Sequence, residues 1–164
     1  MNPPRNVEEL LAIEAIKQLK AKYFLYLDTK QWESWRQLFT DDLRTDGTFF
    51  PDASRDTFVN GVRDSLEHAV SAHHGHTPLI EVTGAETARG VWTMQDDVRF
   101  PEGHPWSGGH RRRVGYGHYE EEYRRMSGEW KISFMRLARL HVWSEPIVGL
   151  EVHGKKRSSS AAWL

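Results

Sequence analysis

Apolar residues recur along the first thirty positions at Leu10, Ile13, Ile16, Leu19, Tyr23 and Tyr26, with Leu11, Phe24 and Leu27 widening the stripe. Spacings of three and four predict a helix with a broad buried face, and Lys17, Lys20 and Lys22 fall on its wetter side. Asn6 and Glu9 have the spacing of a capping box ahead of it. The pattern breaks near Asp28-Thr29. Trp32, Trp35, Leu38 and Phe39 then predict a second helix over about 30–40, packed beside the first because the join is short. Asp41-Asp42 ends this unit.

The period then changes. Thr48-Phe49-Phe50 reads as a short strand, Pro51 to Ser54 as a turn, and Phe58-Val59 as a second short strand. Val62, Leu66, Ala69 and Val70 predict a helix over about 62–72, with Asn60 as its cap. From Leu79 onward the chain reads as sheet. Strands are expected over 79–82, 85–94, 114–124 and 130–142. Gly84 and Ser127-Gly128 supply turns, and the Pro- and Gly-rich stretch 99–109 a loop. Helices gathered on one side of an antiparallel sheet make an α+β fold.

Composition narrows the function classes. The 164 residues suit one domain, expected over 1–150 and followed by a basic, Ser-rich tail over 151–164. A net charge of -1 argues against a nucleic-acid partner, so Arg111-Arg112-Arg113 reads as a solvated loop. The absence of Cys excludes disulfides, thiolate metal sites and thiol nucleophiles. No apolar run follows Met1-Asn2-Pro3-Pro4-Arg5, and none approaches membrane-spanning length. A cytoplasmic protein without a membrane partner is expected. Seven Trp, seven Phe and five Tyr can fill a core and also line a small-molecule pocket.

Nine His carry the chemical signal, three of them packed into His73-His74-Gly75-His76 where the third helix gives way to sheet. His74 and His76 with Glu81 form an HxH-plus-carboxylate pattern, but the strong N-terminal helices and the lack of a second His motif disfavour the strand-built metal site of cupins. No metal or cofactor is expected. General acid–base chemistry is the other reading. A carboxylate such as Asp28 can orient a His, and such a pair can take a proton from carbon beside a carbonyl. Asp28 is equally spaced to cap the second helix with Gln31. Period two puts Trp92, Met94 and Asp96 on one face of a strand. Arg136 shares parity with Ile132 and Phe134, while Arg139 points the other way unless a bulge intervenes. His118 and Tyr119 lie on opposite faces of their strand, and the sequence leaves open which face meets the pocket. Tyr116 lies between the strand glycines Gly115 and Gly117.

The segments AIKQLKAKYFLYLDTKQWESWRQLFTDD, HHGHTPLIEVTGAETARGVWTM and GYGHYEEEYRRMSGEWKISFMRLARL, in this order, resemble SnoaL-like proteins of the nuclear transport factor 2-like superfamily, which includes scytalone dehydratase and bile acid 7-alpha-dehydratase. The resemblance spans about residues 7 to 145. It implies a cone-shaped α+β barrel, with a curved antiparallel sheet wrapped by N-terminal helices around a pocket. Asp28 falls on the family's catalytic Asp, and its His falls within 73–76, with His74 the favoured position and His73 and His76 the alternatives. Tyr23, Asp96 and Arg136 resemble the Tyr, later Asp and Arg of the bile acid enzyme. Trp92, Tyr116 and His118 complete the expected pocket set. The resemblance implies a cofactor-free lyase or isomerase acting on a hydrophobic oxygenated ring compound such as a steroid or polyketide, in a dimer or trimer of identical chains. The alternatives are a non-catalytic small-molecule-binding protein and a structural subunit like those of ring dioxygenases.

Overall fold

Asn6 starts the first helix, α1 (Val7–Asp28), by accepting a hydrogen bond from the Glu9 backbone N–H at 2.8 Å. The capping box is only half made. The Glu9 carboxylate turns back to the backbone and guanidinium of Arg5 instead. This computed structural model describes residues 1–47, 50 and 52–146, so the expected tail and most of the strand at 48–50 lie outside the described residues.

One face of α1 buries Ile13, Ile16, Leu19, Tyr23 and Leu27. Lys20 departs from expectation. It is fully buried, because its ammonium meets the Glu121 carboxylate at 2.5 Å inside the core. The helix ends where Thr29 bonds back to Leu25 and Lys30 takes a positive φ of 62°, which reverses the chain. Asp28 is therefore the last residue of α1 and does not cap the next helix, α2 (Trp32–Arg36).

Helix α2 is far shorter than its apolar spacing predicts. From Phe39 the backbone pairs with a distant strand, forming β1 (Phe39–Gly47), and Ile132 N–H donates to Leu38 O at 2.9 Å. Asp41 and Asp42 thus lie within a strand. Phe58 and Val59 are helical: α3 (Arg55–Leu66) starts one turn before the expected strand, with Ser54 and not Asn60 as cap. The chain turns to strand at Val70, earlier than expected, giving β2 (Val70–Gly84) and then β3 (Thr87–Arg99), β4 (His110–Met126) and β5 (Glu129–Pro146).

These form one curved, unclosed sheet in the order β1-β5-β4-β3-β2. Neighbours are antiparallel except β1, which joins β5 in parallel. Helix α1 lies over the inner face, and the core fills the space between. Gly75 permits that approach, since a Cβ there would stand 2.6 Å from the Phe24 ring.

Two irregularities in β5 set which residues face inward. Ile132 pairs with Tyr123 but Phe134 pairs with Glu122, so Ser133 is an extra residue. Arg139 pairs with Gly117 but His141 with Tyr116, so Leu140 is another. Each extra residue reverses the inside–outside phase of the strand. Between them Met135, Leu137 and Arg139 turn inward, and Arg136 turns out.

Candidate functional site

The end of α1 and the start of β2 meet at Asp28. One carboxylate oxygen accepts the His73 backbone N–H at 2.7 Å; the other lies 2.6 Å from His73 Nδ1 and accepts the Ser71 hydroxyl at 2.8 Å. Lys30 Nζ donates to the same Ser71 hydroxyl at 2.8 Å. A carboxylate on Nδ1 holds that nitrogen as N–H, which leaves the Nε2 lone pair available to a ligand. The His73 side chain is 7% exposed and that of Asp28 21%, so the pair is sheltered from water.

The imidazole lines a cavity of about 120 Å³. Its walls are largely apolar, from Leu27, Phe58, Val62, Leu66, Met135 and Leu137. Phe50 and Trp106 meet at its margin with ring centroids 6.2 Å apart, Trp106 carried by the short turn Pro105–Ser107. The polar lining includes Tyr23, Tyr119, Asp96, Arg113 and Arg139, with Thr45, Asp46 and Ser65 beside them.

Tyr23 and Tyr119 lie edge to face, centroids 5.9 Å apart. Burial pushes both phenols above their ordinary range, so both stay protonated, and they hydrogen-bond to each other. Behind them Lys20 Nζ stands 4.0 Å from the Tyr23 ring centre and 3.7 Å from that of Tyr119. Glu121 then accepts from Tyr123, which accepts from Trp92, completing a buried polar chain beneath the cavity.

Asp96 is 2% exposed and accepts from Arg139 Nη2 at 2.5 Å. Gly115 makes the contact possible: a Cβ there would lie 1.8 Å from Arg139 Nη1 and 2.6 Å from Asp96 Oδ1. Arg113 lies over the Phe100 ring at 5.2 Å, and burial, together with the charge of Arg139, lowers its pKa from the usual guanidinium value.

Several expected residues lie elsewhere. His74 and His76 are exposed on the outer face with their rings parallel, centroids 6.2 Å apart. Strand alternation turns His73 inward and its neighbours out, so His73 takes the position expected of His74. Glu81 is held by Asn2 and Arg89, away from both. Arg136 is exposed and bound to Glu120 and Asp46, because the bulge at Ser133 turns it out and brings Arg139 in. His118 and Tyr116 face outward, Tyr116 43% exposed. Trp92 is buried on the inner face but lies in the core, outside the cavity lining.

Tyr119, Arg113 and Arg139 are the site residues the sequence did not single out. Arg111, Arg112 and Arg113 belong to β4 and not to a solvated loop. Only the choice of sheet face, set by α1, separates Tyr119 from His118.

The SnoaL-like domain matches residues 8–136. Among solved structures, a protein provisionally named scytalone dehydratase from Novosphingobium aromaticivorans superposes with a TM-score of 0.71 at 19% identity, over 87% of this chain and 97% of that one. The hexachlorocyclohexane dehydrochlorinase LinA type 2 gives 0.72 at 17% identity, over 91% and 99%. LinA type 3 from Novosphingobium barchaimii gives 0.69 at 18% identity, over 90% and 99%. Identities this low speak for the fold alone.

Proposed function

We propose, for a chain that belongs to the SnoaL-like domain family, a cofactor-free lyase or isomerase in which His73 is the base and Asp28 its positioning partner. The observation that carries this reading is the 2.6 Å contact between Asp28 and His73 Nδ1, with the rest of the imidazole on an apolar cavity. His73 Nε2 takes a proton from carbon beside a ring carbonyl, and the C–H electrons form the enolate. The Tyr23–Tyr119 phenol pair, hydrogen-bonded to each other, leaves one O–H for the developing oxygen, and Arg139 supplies positive charge beside it. Asp28 balances the imidazolium that results. That proton then passes to a β-hydroxyl, which leaves as water while a C=C bond forms, or to another ring carbon, which shifts the double bond.

The dehydratase and dehydrochlorinase names among the structural neighbours are consistent with this class of elimination. The cavity volume bounds the substrate. About 120 Å³ is near the size of protein cavities that hold a benzene ring, so a single ring reaches the dyad and any larger polycycle leaves its remainder in the mouth.

The test uses 3-hydroxycyclohexanone in deuterated water. Enone formation and deuterium incorporation beside the carbonyl are followed together by NMR. The wild type is expected to accelerate both, H74A to match it, and H73A to lose both. Unchanged rates in H73A and D28N would sink the acid–base reading and leave a binding pocket.

A further inference from the structure

Behind the Asp28–His73 pair a chain of hydrogen bonds runs back to Lys30. Lys30 Nζ donates to Ser71 Oγ at 2.8 Å, and Ser71 Oγ donates at 2.8 Å to Asp28 Oδ1, the oxygen that faces His73 Nδ1. Ser71 and His73 stand two residues apart on β2, so strand alternation turns both toward the end of α1.

The chemistry of these groups fixes the direction of each bond. An ammonium has only protons to give, so Ser71 accepts from Lys30. The hydroxyl carries one proton, and that proton goes to Asp28. Asp28 Oδ1 receives it together with the Nδ1–H of His73, while Oδ2 receives the His73 backbone N–H. With three donors converging on it, the carboxylate cannot rotate without losing at least one.

The backbone of Lys30 supplies a second observation. Its φ is 62°, the left-handed conformation in which a helix end ordinarily carries Gly. Glycine would suit that backbone better but could not reach Ser71. The Lys30 side chain offsets the strain by curling back, with Nζ on Ser71 and 3.4 Å from Leu27 O. Strained non-Gly residues of this kind gather at functional sites.

We propose that Ser71 and Lys30 are positioning residues for the base: together they lock the Asp28 carboxylate against His73 Nδ1, so that Nε2 is left as the acceptor. Neither lines the cavity, so both act through Asp28 and not on a ligand. This rests on the reading above in taking His73 as the base, but the lock itself is observable without turnover.

The test follows the proton NMR signal of His73 Nδ1–H, identified by its loss in H73A. A proton held in a short bond to a carboxylate resonates far downfield and is protected from exchange. The wild type is expected to show this signal and S71T, which keeps the hydroxyl, to retain it. S71A and K30G should lose it or move it upfield. K30G should nevertheless melt at or above the wild-type temperature, because Gly relieves the backbone. A purely structural lysine would show the opposite. If 3-hydroxycyclohexanone is turned over, kcat should fall about tenfold in S71A and K30G with KM unchanged, the scale of one hydrogen bond to a charged group. Absence of the signal from the wild type overturns the proposal. A signal unchanged in S71A overturns the role of Ser71, and one unchanged in K30G, or a K30G that melts well below wild type, overturns that of Lys30. A signal lost as expected in a protein that turns nothing over supports the lock and sinks only the catalytic reading.

Discussion

Asp28 and His73 are fastened together twice, once through the His73 backbone N–H at 2.7 Å and once through Nδ1 at 2.6 Å. The first contact sets the strand against the helix end, and the second fixes the ring. D28N should keep much of the backbone contact while losing the charge that balances the imidazolium. Turnover of 3-hydroxycyclohexanone is expected to fall about 10²- to 10⁴-fold in D28N and H73A, and to stay within twofold in H74A and H76A. Steady-state rates check this, with circular dichroism to show that each variant is folded.

Arg139 and Arg136 should separate sharply. R139M leaves the Asp96 carboxylate buried without its guanidinium, and a loss of about 3–5 kcal/mol is expected. R136Q removes only exposed pairs with Glu120 and Asp46, and its unfolding midpoint should stay close to that of the wild type. Urea unfolding of the two variants measures the difference, and equal losses would show that the bulge at Ser133 does not orient the strand as described.

Lys20 and Glu121 form a buried ion pair at 2.5 Å, both side chains at most 1% exposed. Removing one partner strands the other, so K20M or E121Q alone should cost about 3–5 kcal/mol. The double variant K20M/E121Q keeps an acceptor for Tyr123 and leaves no lone charge. It should recover most of the loss, which a double-mutant cycle of unfolding free energies reports.

Asp97 and Arg112 form a two-pronged contact between β3 and β4, at 2.9 and 2.6 Å. The hydrogen bonds from Arg112 hold the Asp97 carboxyl below its ordinary value of 3.8. A depressed carboxyl pKa stabilises the fold above the unfolded value, and that stabilisation is lost as pH falls from about 4 through the folded value. D97N should therefore lower stability by about 1 kcal/mol or less at neutral pH, and the difference from wild type should shrink on acidification. Melting temperatures at pH 7 and pH 3 check the sign; a difference that grows in acid would contradict it.

The sequence by itself determined the α+β class, α1 with its buried stripe, the turns after Gly84 and Ser127, and the placement of Trp92, Met94 and Asp96 on one strand face. Those follow from local periodicity and from turn chemistry, which neighbours in the chain suffice to reveal. It also pointed to Asp28 as a carboxylate at a helix break, while its meeting with the His-rich segment 45 residues further on was only what the family resemblance implied. Only the tertiary structure decided the rest. Phe58 and Val59 became helical under the Ser54 cap, and Phe39 became a strand by pairing with β5, where the local pattern admitted either reading. His73 replaced His74 because α1 packs on one face of β2, and period two then admits alternate residues only. Arg139 replaced Arg136 because Ser133 adds one residue to β5 without adding one to β4. A single unpaired residue leaves no mark in a hydrophobic pattern, yet it reverses the direction of every side chain that follows until the next bulge.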